Sequence, residues 1–344
     1  TLVTGIGFEL ADYPRKYTAL EVFDRYRPRP LRLCRFVWHC LTFRPQIIHL
    51  QGAQHPALYI LLWAMLRLLG SASFVYTPQD VLPNSLRPYH IRAFRFLYAR
   101  MRHVFLNAKQ NEPLVVEHFA VPRDRITVLP IADLTAFVRE HVAGEPPDIP
   151  AASRVVLCFG LIEPRKGIHT LLSAAPEVLR QVPDALLLIV GKPLMDIAPL
   201  QRQLTDLGLQ ERVRLVPQYV SFAQMAGYFT AARLLVLPYE NGWNSGVLAS
   251  AFGFGKPVIA TRVGGFDEVV SDESTGLLVP PKDPAVLAQA IVRLLRDDVL
   301  YARMVTNVRQ AAAEISWEAI ARITAARYAD VVGIGADCAV SQAR

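Results

Sequence analysis

Two periodicities share this chain. Short unbroken apolar runs end at Gly, Pro or a polar turn, and stretches with apolar positions three and four residues apart follow them. In the second half the runs predict strands at 154–159, 186–190, 213–216, Leu234–Leu237 and Val258–Thr261. The intervening pattern predicts helices at 168–181, 198–208, 222–231, Ser245–Phe254, 284–297 and 299–314. Regular alternation of this kind implies a parallel sheet covered on both faces, with ligands at the strands' carboxyl ends. In the first half strands are expected at Thr1–Phe8, Ile47–Leu50, Phe74–Thr77, Val104–Leu106 and Ile126–Leu129. Helices are expected at Leu31–Phe43, Pro88–His103 and Asn111–Phe119, with a buried amphipathic helix around Ala57–Leu66. The Pro-rich break from Glu145 to Pro150 is the best boundary. It divides a first domain, 1–146, from a second, 147–315, and a last helix, 316–332, is expected to cross back to the first.

The run from Leu234 to Leu278 concentrates the chemistry. A buried strand ends at Pro238, a Gly-containing turn follows, and a helix starts near Ser245. Such a junction aims unpaired amides and a positive dipole end at one point, which suits a phosphate. The competing reading is that Asn244 or Ser245 only caps the helix and the glycines only allow close packing.

The order of the surrounding pieces bears on that choice. Phe159-Gly160 with Lys166-Gly167, Leu187 to Gly191, Leu237-Pro238-Tyr239, Gly255-Lys256-Pro257-Val258, Gly264-Gly265 to Glu268 and Thr275 to Val279 follow one another over roughly 154–300. In order and spacing this resembles the donor-binding half of the family 4 glycosyltransferases, retaining enzymes of the GT-B fold. The resemblance implies an α/β protein of two Rossmann-like parallel-sheet domains facing a central cleft. It implies a metal-independent hexosyltransferase-like activity on a nucleotide-diphosphate sugar, the donor substrate, with no cofactor beyond it. The acceptor would be a glycan, glycolipid or lipid-linked hydroxyl. Rival readings are a nucleotide-sugar-binding protein without transferase activity and a GT-B sugar epimerase.

By the same resemblance Lys166 contacts the donor phosphate. The partner arginine would fall at Leu161, so Arg165 is its candidate substitute. Gly160 lies in the same turn, and Asn244, Ser245, Gly246 and Val247 would present amides to the diphosphate. The family's two glutamates, eight residues apart, correspond here to Gly242 and Ser250, so a subgroup lacking that motif is indicated. Ser250 is left to hydrogen-bond the ribose more weakly than a carboxylate, and Glu240 is the nearest acid to the donor sugar. Tyr219 either packs against the nucleobase or only anchors its loop. Asp80 matches the aspartate of a His-Asp pair near the reacting sugar. Gln79 stands for the histidine and cannot exchange protons at neutral pH. Glu268 reads as a cap of the following helix, and His49 either faces the cleft or is a core residue.

Composition then narrows the surroundings. The 344 residues are 52% hydrophobic and 19% charged, and the four cysteines show no metal-ligand spacing. This reads as a core-rich protein of a reducing compartment without disulfides or metal. All of the +7 net charge sits in residues 1–146, which hold 18 Lys/Arg and 11 Asp/Glu. That points either to an anionic partner, a membrane surface or lipid-linked phosphate rather than nucleic acid, with a cytoplasmic, peripheral location, or to a solvated arginine-rich surface with no partner. Arg92, Arg95 and Arg102 on one side of the helix from Pro88, and Phe94, Leu97 and Met101 on another, fit an interfacial helix or an ordinary surface helix equally. No segment reaches the ~18 apolar residues of a spanning helix. Near the start, Gly5-Ile6-Gly7 is either a reduced acceptor loop or part of the family's second strand. The second is expected, with the true opening missing.

Overall fold

The computed structural model describes residues 2–5, 19–24, 27–28, 30–52, 56–70, 72–78, 81, 88–133, 135–136, 139, 144, 147–150, 152–242 and 245–333. The chain forms two compact units. Unit 1 takes Thr1–Phe105, Pro113–Thr127 and Ala326–Arg344; unit 2 takes Leu106–Glu112 and Val128–Ala325.

In unit 1, β1 (Leu2–Gly5) pairs parallel with β2 (Ala19–Asp24), and β3 (Arg27–Pro28) adds a short antiparallel pair. Helix α1 (Pro30–Phe43) follows. A second sheet then runs in the order β4 (Ile47–Gln51), β5 (Ser73–Thr77), β6 (His103–Leu106), β7 (Ile126–Val128). Helices α2 (Pro56–Leu69), α3 (Pro88–Tyr98) and α4 (Asn111–Phe119) connect these strands. The unbroken apolar runs are strands buried on both faces: Phe74, Val75, Tyr76 and all of β6 are buried.

Helix α3 departs from expectation. It ends at Tyr98, and the chain turns through Ala99 and Arg100 before His103 opens β6. Phe94, Leu97 and Met101 are all buried, so the helix's apolar side belongs to the unit's own core. Arg95 is held by the His118 carbonyl at 3.1 Å, and Arg102 lies beyond the helix.

Two histidines of unit 1 are held through their rings. His49 Nε2 bonds Thr77 Oγ1 at 2.7 Å, and its Nδ1 bonds the Tyr328 hydroxyl at 2.5 Å. It is therefore a half-buried residue with both ring nitrogens hydrogen-bonded. His103 bonds Thr127 Oγ1 at 2.9 Å. Burial lowers His49 from 6.5 to about 4; burial and then the Arg327 charge lower His103 to about 4 as well. Both rings stay neutral in the folded protein, whereas the unfolded chain binds protons below pH 6.5. Stability is thus full above pH 6.5 and lost as the pH falls from 6.5 towards 4. Denaturant midpoints measured across that window should fall, and His49→Gln should flatten the fall.

Unit 2 is a six-stranded sheet in the order β10-β9-β8-β11-β12-β13. Its strands are β8 (Arg154–Phe159), β9 (Ala185–Val190), β10 (Val213–Val216), β11 (Leu234–Leu237), β12 (Val258–Thr261) and β13 (Gly276–Val279), and every pairing is parallel. Successive residues of one strand serve opposite faces. Val156 and Cys158 join a core under α5 (Ile168–Gln181) and α10 (Pro284–Arg296); Val155 and Leu157 join one under α7 (Phe222–Ala231) and α8 (Gly246–Gly253). Each buried aliphatic side chain is worth roughly 1.5–3 kcal/mol, so two covered faces specify the register. The remaining helices are α6 (Ala198–Asp206), α9 (Phe266–Val269), α11 (Asp298–Glu314) and α12 (Trp317–Val332). From Ala326 onward α12 belongs to unit 1. The fold is GT-B, with two parallel-sheet α/β units of Rossmann-like type. Among the described residues no helix is long and apolar enough to cross a membrane.

Candidate functional site

The strand order of unit 2 reverses between β8 and β11: β9 and β10 build outward from one, β12 and β13 from the other. Loops that follow two such strands leave in opposite directions and open a crevice at the sheet's carboxyl edge. The loop after β8 carries Gly160 to Gly167, and the loop after β11 carries Pro238 to Ser245.

Backbone contact locks these loops together. Glu240 N donates to Arg165 O at 2.8 Å. Gly167 sits at φ 63°, where a Cβ would lie 1.9 Å from the Pro238 carbonyl oxygen. A Cβ on Gly160 would lie 3.3 Å from Val247 Cγ2 at the start of α8.

Lys166 ends a short 3-10 turn, Pro164–Lys166, and is only 8% exposed. Its Nζ lies 3.7 Å from the centre of the Tyr239 ring, and the buried Cys158 lines the same small cavity. Burial, and then the Arg165 charge, lower its amine from 10.5 to about 8. The cavity left beside it is about 10 Å³, room for about one water. Lys166 therefore carries a charge compensated mainly by an aromatic face, and an incoming anion would improve its surroundings.

Ser245 precedes α8 without capping it. Its Oγ pairs instead with the Tyr239 hydroxyl at 3.0 Å, and both groups are buried. The α8 N-terminus, with Gly246 and Val247, adds a positive dipole end beside Gly160. Ser250 is buried, and its hydroxyl donates to Gly246 O at 2.8 Å. Tyr219 is 64% exposed in the loop after β10, two strands away from β8. Asp80 and Asn244 lie outside the described residues.

The remaining charges form a second cluster. Arg165 pairs with Glu163 at 2.6 Å, and its Nη1 lies 3.0 Å from the point where a Gly242 Cβ would sit. Glu240 is approached by His169 Nε2 at 2.9 Å and Lys282 Nζ at 3.2 Å. Lys282 holds a left-handed φ of 60°, a conformation costing a side-chain-bearing residue about 1–2 kcal/mol. Glu240 is thus engaged by the Lys282 ammonium and the His169 ring together. Glu240→Gln should raise the affinity for a bare nucleoside diphosphate about two- to fivefold, because one repelling charge disappears; calorimetric titration checks this.

Sequence reading missed Tyr239, Glu163, His169 and Lys282. His169 was findable, one turn after Lys166. Lys282 was not, since its loop follows β13 and reaches Glu240 only because of the sheet order. Glu268 does not cap the helix it was expected to cap. It lies within α9, and its carboxylate accepts from Lys109 N at 2.7 Å and Gln110 N at 2.8 Å. Among the described residues no group of three His, Cys, Asp or Glu side chains is placed to hold a metal ion.

Residues 153–297 match the model for the glycosyl transferases group 1 family. The matched segment contains both loops of the crevice. A phosphatidyl-myo-inositol mannosyltransferase of Mycobacterium leprae is 38% identical over 174 residues, 50% of this chain and 45% of its own length. A D-inositol 3-phosphate glycosyltransferase of Corynebacterium efficiens is 30% identical over 236 residues, 65% of this chain and 55% of its own. The chain spans about half the length of these curated relatives. Among solved structures, sucrose-phosphate synthase from Thermosynechococcus elongatus superposes with a TM-score of 0.68 at 24% identity, covering 94% of this chain and 87% of that one. HepE from Anabaena in complex with UDP gives 0.71 at 18% identity, covering 91% and 86%. These structural likenesses support the fold.

Proposed function

We propose that this protein is a retaining, metal-independent glycosyltransferase. It moves a sugar from a nucleotide-diphosphate donor to a hydroxyl of a glycan, glycolipid or lipid-linked acceptor. The observation that carries this reading is the under-compensated Lys166 at the β8/β11 reversal, beside a helix start that Ser245 leaves uncapped. The curated relatives, named as sugar transferases to inositol compounds, support the same reaction class.

In this reading unit 2 holds the donor and unit 1 the acceptor. The reaction is limited by charge gathering on the departing diphosphate while the sugar becomes oxocarbenium-like. Lys166 and Arg165 would neutralise that charge, and the amides of Gly246 and Val247 would bind phosphate oxygens without reorganising. The donor phosphate would help to deprotonate the acceptor hydroxyl in a front-face displacement. Ser250 and Tyr219 are assigned to the nucleoside, Glu240 to the sugar end through the His169 and Lys282 side chains it orders, and Asp80 to the acceptor side. The location is cytoplasmic, with the basic half turned to the inner face of the membrane.

A panel of UDP- and GDP-sugars tests the reading, followed by thermal shift and by slow donor hydrolysis. One donor should raise the melting temperature and be hydrolysed. Stabilisation without turnover, even with membrane extract as acceptor source, would make this a nucleotide-sugar-binding protein instead.

A further inference from the structure

The outer line of α1 is apolar where a surface helix is normally polar. Cys34, Trp38 and Leu41 succeed one another at i, i+4 and i+7, and all are exposed, Trp38 by 68%. Phe36 is buried and Val37 and Cys40 are half-buried, so the helix turns a different side to its own unit. Phe43 closes the helix, 65% exposed and stacked on His39 with ring centres 5.6 Å apart. Helix α2 packs beside both α1 and α3. It contributes exposed Leu61, and Trp63 meets Phe96 edge-on under the Arg100 guanidinium. Single exposed apolar residues need no explanation, but a helix carrying an ordered apolar line does.

Charge selects what covers it. Residues 25–111 contain twelve arginines and Lys109 against one acid, Asp80. The rest of the chain is therefore net acidic, and the +7 of the whole understates a local +12. Arg35 and Arg44 are exposed at the two ends of the Trp38–Leu41 line. A second copy of this chain would bring the same cations face to face, because a two-fold interface repeats one patch on both partners. Arginine heads that grip phosphate and an indole with a leucine that seek hydrocarbon fit one partner, the headgroup layer of an anionic bilayer.

We infer that α1 is a membrane-docking helix, laying Trp38, Leu41 and Phe43 into the interface of an anionic bilayer with Arg35 and Arg44 on the lipid phosphates. This gives the membrane-facing part of the proposed function a named element, while no step of sugar transfer is needed for it. It also replaces α3 as the interfacial element, since the apolar side of α3 is used up in the core.

Co-sedimentation with vesicles tests the inference. Phosphatidylcholine vesicles containing about a quarter phosphatidylglycerol should bind the protein at least tenfold better than phosphatidylcholine alone. Trp38→Glu with Leu41→Glu should reduce that binding at least tenfold. Trp38→Ser with Leu41→Ser, which adds no charge, should reduce it several-fold. Arg35→Gln with Arg44→Gln should cost about fivefold per arginine on the anionic vesicles and little on neutral ones. Melting temperature and its shift by UDP or GDP should stay as in the wild type, so a failure here is separable from a failure of the transferase reading. Equal binding to both vesicle types, or wild-type binding by either Trp38/Leu41 pair, would overturn the inference. So would a wild-type dimer that the Glu pair turns into a monomer, or binding abolished by an oligonucleotide competitor.

Discussion

Lys166→Met should weaken donor binding by about ten- to a hundredfold and leave the fold intact. Methionine keeps the aliphatic stem on Tyr239 and removes only the charge, and a charge-assisted contact to phosphate is worth ~1.5–3 kcal/mol before any gain in the transition state. Hydrolysis of the full donor should fall further, by about 10²–10³, if the lysine also meets the leaving diphosphate. The pH dependence adds a second signature. With the amine lowered to about 8, affinity for the nucleoside diphosphate should decline as the pH rises through 8. Stability should move the other way. Below pH 8 the folded state carries a desolvated charge that the unfolded chain does not, and between pH 8 and 10.5 this penalty, on the order of 3 kcal/mol, is relieved. In the Met variant both slopes should vanish. A variant that binds UDP and GDP as the wild type does would place the site elsewhere.

Gly167→Ala carries the largest expected effect on stability. A side chain at its φ of 63° is strained, and the Cβ would collide with a backbone oxygen at 1.9 Å, which cannot rotate away. Roughly 3–5 kcal/mol should be lost, read as a lower denaturant midpoint, and the two crevice loops should separate. Gly208 provides the control. Its φ is 64°, with nothing within 4 Å of the added carbon, so Gly208→Ala should cost only about 1 kcal/mol. Equal losses at the two positions would show that conformation alone matters and that the loops are not locked.

Much of the molecule was legible because burial on both faces leaves an unambiguous mark. Strands 154–159, 213–216, Leu234–Leu237 and Val258–Thr261 begin and end as their apolar runs do. The error at α3 has an instructive origin. Met101 is 1% exposed and continues the spacing of Phe94 and Leu97, yet it reaches the core from a turn and not from a helix. Periodicity there reported burial correctly and conformation incorrectly. At the site, the elements contributed by one loop could be read in sequence: Lys166 with Gly167, and Ser245 before its helix. What depended on sheet order could not. Tyr239 under Lys166 and Lys282 on Glu240 exist because β8, β11 and β13 assemble in an order that no local pattern encodes. The apolar side of α3, open in sequence between an interfacial and an ordinary surface role, lies in the core of its own unit, and net charge over 146 residues does not say which element stands free.

The hydrogen bond between His49 and Tyr328 joins residues 279 positions apart. Unit 1 therefore needs the last stretch of the chain to finish its own interior, whereas unit 2 is nearly continuous in sequence. During synthesis the ribosome releases everything unit 2 requires before it releases Tyr328. The later-made half should reach its native state first, and the earlier-made half should mature only once Tyr328 has been released.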